Sequence, residues 1–285
     1  MEKLQFTMTD RARERVLTAI SDVFKVLVML AFVFPFYWMV ISSFKTYNES
    51  ITFPPTLWPK VFTVEGWKMM FDSGLPIALS ARNTVVVTAA TIAIQLVVMI
   101  PSAYAFAKRK FPLDGILFGF VLVAFMIPVQ VTYIPIYLMM SDWGLMKTLW
   151  PQIIPHMASA FGIFNLRQAF KTIPDEIVES AKLDNANEVQ VMLKIMLPMC
   201  KSTMVTIAMF AFIGTWNSYF WPLIMTNDNA LRPLTIVIER LKDAEAGTQW
   251  HMLMAGNTLL TLPILVVFVF ASRKIIEGFG YKGMK

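Results

Sequence analysis

The side chains able to do chemistry in this chain are few, and five of its nineteen carboxylates gather in one short segment. Between Pro174 and Pro198 lie Asp175, Glu176, Glu179, Asp184 and Glu188, a charged, helix-forming insert flanked by two strongly apolar runs. Elsewhere His156 and His251 are the only histidines and Cys200 the only thiol, too few for a metal cluster or a nucleophile–base triad. Gly278, Gly280 and Gly283 spell a literal G-x-G-x-x-G, but it follows an apolar helical run instead of a strand and leaves two residues for the helix it would have to open. No G-x-x-x-x-G-K-[ST] loop is present. A carboxylate-bearing helix with one apolar side is suited to docking in a groove of another protein, and not to bond making.

Composition says what carries this insert. Of 285 residues, 56% are hydrophobic and 15% charged, and the mean hydropathy is +0.58, which excludes an ordinary soluble domain and points to an all-α polytopic membrane protein. Six runs reach the roughly 20 residues that a helix needs to cross about 30 Å of hydrocarbon. They are Val23 to Ser42, Thr84 to Ala107, Gly115 to Leu138, Leu149 to Leu166, Thr203 to Leu223 and Met252 to Ala271. The fourth is the most polar, with Gln152, His156 and Asn165. Leaving aside Lys25 inside the first run, sixteen Lys and Arg fall in the two tails, the second connection and the fourth connection (Arg167 to Lys201) that contains the charged insert, against eight in the remaining loops. Positive charge collects on the cytoplasmic side, so both termini and the insert are expected there. The net charge of +6 follows from this asymmetry and needs no nucleic-acid partner. Residues 1–22 form a charged cytoplasmic tail, and the first run reads as an uncleaved anchor. No separate soluble domain emerges: the chain reads as a single transmembrane domain over 1–285. The connection Lys45 to Arg82, with Pro54, Pro55 and Pro59, is expected to be an irregular outer loop, and Ile236 to Ala244 a short helix at the outer surface.

Within the segment 172–201, Thr172 with Asp175 forms a capping-box pattern for a first helix, whose Ile177, Val178 and Ala181 give an apolar side. Asn185 with Glu188 repeats the signature for a second helix bearing Val189, Met192, Ile195 and Met196, ended by Pro198. The order Glu179, Ser180, Ala181, then Asp184, Asn185, Ala186, and finally Ile195, Leu197, Pro198 resembles the coupling (Glu-Ala-Ala) motif of binding-protein-dependent ATP-binding-cassette import permeases. Ser180 replaces the motif's Ala, Asn185 its Gly and Met192 its usual Phe; asparagine tolerates the positive φ that the glycine would supply. Phe212 to Asn217, then Phe220, Trp221, Pro222 and Leu223, with Glu277, Gly278 and Phe279 at the end, resemble the carbohydrate permeases of the maltose type, over about Asn83 to Lys285.

The resemblance implies a type I importer permease fold of six spans, pairing as a heterodimer with a second homologous permease, two ATPase subunits and an extracytoplasmic solute-binding protein, amid membrane lipid. ATP and Mg would be held by the ATPases, with no cofactor in this chain and no catalytic residue. Glu179, Ser180, Ala181, Asp184, Asn185, Ala186, Leu197 and Pro198 would form the ATPase coupling site, Glu179 as the acidic contact and Asp184 bracing the turn. An oligosaccharide or sugar is the expected solute, with glycerol phosphate next. Rings stack on sugar faces and amides read hydroxyls, so Trp216, Asn217, Tyr219, Gln130, Gln95 and His156 are candidates for the substrate path, with Gln152 and Asn257 behind them. The rival from another class, an ion-driven secondary transporter, would want a mid-membrane carboxylate. None of the six runs contains Asp or Glu.

Overall fold

The computed structural model describes the backbone of residues 7–242 and 248–280 and the side chains of 15–242 and 248–274. Among the described residues every regular element is helical. The chain separates into two compact units, one of Met1–Ser73 with Leu241–Leu259, the other of Gly74–Arg240 with Leu260–Lys285.

In the first unit, helix α1 (Thr7–Ser42) continues through Pro35. Its apolar stretch, Arg15–Ser42, buries only Ile41 and Ser42 at its very end, as befits a helix whose solvent is lipid. The connection that follows, expected to be irregular, is more ordered than its prolines predict. Thr46 caps α2 (Tyr47–Ile51), and α3 (Glu65–Asp72) follows. Lys45 organises the loop: its side chain is fully buried, its Nζ donates to the Thr56 carbonyl at 2.5 Å and lies 4.1 Å from the Trp38 ring centroid. Burial lowers the Lys45 pKa, opposed by the nearby Glu49 carboxylate. Glu49 in turn accepts from Thr56 Oγ1 at 2.6 Å and from the Lys60 amide at 2.9 Å. Desolvation pushes its pKa up, but those hydrogen bonds and Lys45 together hold it below the usual carboxylate value.

The second unit is built around α4 (Ile77–Lys108), which begins seven residues ahead of the expected span. The next expected span is broken: α5 (Asp114–Met126) and the segment Val129–Asp142, containing α6 (Tyr133–Asp142), meet at 96° beside Pro128, which cannot donate to the preceding turn. The run Leu149–Leu166 is also divided. Helix α7 (Trp150–Ile153) passes into a 3₁₀ turn at Ile154–His156, and α8 (Ala160–Lys171) starts afresh where Ser159 Oγ accepts from the Gly162 amide. By length and composition three described helices can each cross a membrane, and two bent pairs raise that to five.

Helix α8 presses closely on α4. A Cβ on Gly162 would stand 2.4 Å from Met99 Sδ and 3.3 Å from Ile207 Cγ2, so any larger residue here would have to displace the Met99 side chain. Met99, Ala103, Leu166 and Phe170 are fully buried there, and the same core continues into the charged segment through Val178, Ala181, Val191 and Met196. Helix α9 (Asp175–Leu183) and α10 (Glu188–Gln190) lead through a π-helical turn, Val191–Met196, to α11 (Leu197–Met199). The chain then bends 85° into α12 (Lys201–Trp216). The expected fifth span therefore stops at Trp216, and α13 (Phe220–Met225) is a separate helix. The short helix expected at Ile236 to Ala244 is found as α14 (Leu234–Glu239), two residues earlier, and Leu234 to Ile238 are all buried, not spread on a surface; Ala244 lies outside the described residues. Helix α15 (Trp250–Gly280) closes the chain.

Candidate functional site

The charged segment is a hairpin whose two starts differ from the expected capping. Pro174 disfavours helical geometry at Ile173, so α9 begins at Asp175 with Pro174 as its N-cap, and Thr172 Oγ1 instead donates to the Ala169 carbonyl at the end of α8. The second start is a complete capping box two residues on, formed by Asn187 and Gln190, not by Asn185 and Glu188. Asn185 has φ of 58°, the left-handed conformation its residue type tolerates. Around it the Ala186 amide donates to Ala181 O and the Asn185 amide to Lys182 O, both at 3.0 Å. These are the 6→1 and 5→2 bonds of a Schellman ending, so the backbone itself holds the turn and the Asp184 side chain is left exposed.

The apolar side of α9 is used up inside the chain. Val178 and Ala181 are buried against the α4–α8 core, with Ile177, Ala186, Met192, Ile195 and Leu197 packed at its edge. The side left outward carries Glu176, Glu179, Ser180, Leu183 and Asp184; Leu183 is 84% exposed. Neither Glu179 nor Asp184 enters an ion pair among the described residues. Pro198 is exposed as well.

Two ties bind the hairpin to the end of α4. Lys108 Nζ donates at 2.5 Å to both the Ile173 carbonyl and Asp175 Oδ1. That hydrogen bond, with the lysine's charge, holds the Asp175 carboxyl below its usual pKa. The tie is therefore complete above the ordinary aspartate value near 3.8 and is lost as pH falls through the lowered one. The second tie centres on Glu188, which accepts from Tyr104 Oη at 2.8 Å, pairs with Arg109 and has Lys182 Nζ at 3.9 Å. Because these groups are half-exposed, each pair contributes about 0.2–1 kcal/mol. Glu188→Gln is expected to speed amide exchange at 184–190 up to about fivefold, the factor that about 1 kcal/mol represents, with exchange in α8 unchanged.

The candidate solute-path residues separate. Trp216 is buried with its indole N–H on the Leu260 carbonyl at 2.9 Å and its ring stacked on Phe212, so it joins helices. Asn217 and Tyr219 are exposed at the break after α12, and Gln130 is exposed in the bend after α5. Gln95 and His156 do meet: Gln95 Nε2 donates to the His156 carbonyl at 2.7 Å, and both line a cavity of ≈ 240 Å³ with Gln152 and Trp221. Asn257 is half-buried on α15.

Residues 98–277, which include the end of α4 and the whole hairpin, match the family described as binding-protein-dependent transport system inner membrane component. The chain belongs to this family. It is 30% identical over 266 residues to the sn-glycerol-3-phosphate transport system permease protein UgpE of Brucella abortus (strain 2308), covering 91% of this chain and 94% of the relative. It is 31% identical over 261 residues to the lactose transport system permease protein LacG of Rhizobium radiobacter, covering 90% and 93%. A chain from the crystal structure of a bacterial ABC transporter involved in the import of the acidic polysaccharide alginate shares the fold, with a TM-score of 0.81 at 20% identity over 92% of this chain and 97% of that one.

For this transport-system membrane component, sequence reading missed the Lys108 and Glu188 ties. Lys108 and Arg109 registered only as positive charge marking the cytoplasmic side. What distinguishes them is their place immediately after an apolar span, facing a segment rich in carboxylates more than sixty residues on. Trp221 was legible as part of a family-like pattern, while the pairing that puts it in a cavity wall, its indole N–H on the Pro151 carbonyl at 3.0 Å, is not local in sequence.

Proposed function

We propose that this chain is one of two non-identical permeases in an ATP-driven importer, and that α9 is the surface its ATPase subunit grips. The observation that carries the reading is the outward carboxylate side of α9 on a hairpin tied to α4. Glu179, Asp184 and Leu183 would enter the ATPase groove, with Ser180 and Asn185 at its rim. Ala181, Ala186 and Leu197 act beneath them by packing, and Pro198 precedes the bend into α12. Closure of the nucleotide-bound ATPase dimer would push α9, and the Lys108 and Glu188 ties would pass that displacement to α4 and the α8–α12 core. ATP and Mg belong on the ATPases, and this subunit performs no catalysis.

Both termini and the hairpin are placed in the cytoplasm by the lysine and arginine asymmetry, leaving Lys45 to Arg82 and Thr226 to His251 to receive the binding protein. The solute is a small polyhydroxylated molecule, a sugar or oligosaccharide before glycerol phosphate; relatives named for lactose and for glycerol phosphate support that chemical class. Asn217, Tyr219, Gln130, Gln95 and His156 remain the path candidates, with Gln95 and His156 strengthened by their shared cavity, while Trp216 is taken up in joining helices. In proteoliposomes holding the assembled complex, uptake of radiolabelled solute is expected only with internal ATP and external binding protein together. Uptake driven by an ion gradient without ATP would refute the reading.

A further inference from the structure

The connection after α1, within the first unit, carries large apolar side chains that no described residue covers. Phe53, Leu57, Trp58, Val61 and Phe62 are each at least 61% exposed, and Lys60 is the one charged residue between Ser50 and Val64. The backbone that bears them is fastened to the C-terminal end of α1. Tyr37 Oη donates to Leu57 O at 2.6 Å, Lys45 Nζ to Thr56 O at 2.5 Å and the Thr63 amide to Phe44 O at 2.9 Å, while the Phe62 ring stacks on Phe44 at 4.6 Å. Held in this way the segment has no core to turn into: of residues 53–62 only Pro59 is buried. An exposed aromatic cluster of this kind marks a protein contact or a membrane contact, and its depth decides between them.

The run Val23 to Ser42 rises about 30 Å at ~1.5 Å per residue, the thickness of the hydrocarbon. Tyr37 stands about 7–8 Å short of its C-terminal end, and Val33 and Phe34 beside it are exposed on the same apolar helix. The hydroxyl that Leu57 O accepts from therefore belongs to the boundary between acyl chains and headgroups, where Tyr and Trp collect. A backbone carbonyl at that level needs a partner from the protein, and Tyr37 supplies it. We propose that residues 53–62 form a foot embedded in the membrane surface, with Phe53, Leu57, Trp58, Val61 and Phe62 in the headgroup–acyl boundary and Lys60 offering its ammonium to lipid phosphate. This rests on α1 spanning the bilayer and on no step of the ATP-driven cycle. Asn48, Glu65, Lys68 and Asp72, polar and exposed, are the part of the connection left to water and to a soluble partner.

Nitroxide labels on Phe53→Cys, Trp58→Cys and Val61→Cys test the depth, in the full chain in nanodiscs of phosphatidylethanolamine and phosphatidylglycerol. Each label reports its collisions with molecular oxygen, which enriches in hydrocarbon, and with a polar nickel chelate confined to water. The oxygen-to-nickel ratio at all three sites is expected to exceed that at Lys68→Cys about tenfold, because the chelate must shed its water to follow. It should approach the ratio at Val33→Cys on α1, and the unsubstituted chain gives the background from buried Cys200. Three separate positions keep the test decisive if one variant fails to fold. Ratios as low as at Lys68→Cys would overturn the foot, and so would loss of both kinds of collision in the assembled complex, which would hand the patch to a partner subunit. Either result would leave the importer reading intact, since the labels need neither ATP nor binding protein. Solute uptake without ATP would strike that reading and leave the label ratios as they are.

Discussion

The double substitution Glu179→Ala with Asp184→Ala is expected to lower the affinity of the permease for its ATPase about tenfold or more. Both carboxylates are exposed and without an ion pair among the described residues, so their removal spares the α4–α8 core. Loss of charge-assisted contacts worth about 1.4 kcal/mol accounts for the factor of ten. Copurification from membranes measures the effect, with insertion monitored by yield of the permease itself. Asp142→Ala, exposed at the end of α6 and away from α9 in the chain, is the control for general loss of negative charge. Wild-type recovery of the ATPase with the double variant would remove the outward side of α9 from the interface.

The largest effect on stability is expected from Gly66→Ala in the first unit. A Cβ at this position would lie 2.7 Å from the His251 carbonyl oxygen, 2.8 Å from its carbonyl carbon and 3.1 Å from its Cδ2. His251 is fully buried, and backbone atoms cannot swing aside as a flexible side chain can. Overpacking of this kind costs about 1–3 kcal/mol, against a gain of roughly 1 kcal/mol from replacing glycine inside a helix. The midpoint of thermal unfolding should fall by a few degrees, about 2–4 °C per kcal/mol. Gly115→Ala, in a helix where the added atom meets nothing within 4 Å, should leave the midpoint unchanged or raise it. An equal response in the two variants would contradict the close approach of α3 to His251.

The hairpin's turn was legible because it is local: the left-handed residue at Asn185 follows from one side chain's tolerance, and Pro174 and Pro198 bracket the segment whichever way it packs. Its outward side was not legible. Periodicity shows that Ile177, Val178 and Ala181 share one side of α9 but cannot say whether that side awaits another protein or is covered by α4 and α8. Long-range pairing also decided Trp216 and Trp221. Both rings sit in apolar sequence near amides, and their roles part only because one N–H finds Leu260 O and the other Pro151 O. Composition marked the apolar runs well. It could not mark the bends beside Pro128 and at Cys200, or the stop after Trp216, since hydropathy is blind to where a backbone turns.

The central claim is that α9 bears on a separate ATPase, and a thiol at its most exposed apolar position tests it most directly. Leu183→Cys places that thiol outward, while Cys200, the one native thiol, is buried. With a short bifunctional crosslinker applied to membranes carrying the complex, a single product of permease plus ATPase is predicted, its yield changing when nucleotide is added. The absence of any product at Leu183→Cys, under conditions where a thiol on the ATPase is shown to react, would contradict the claim.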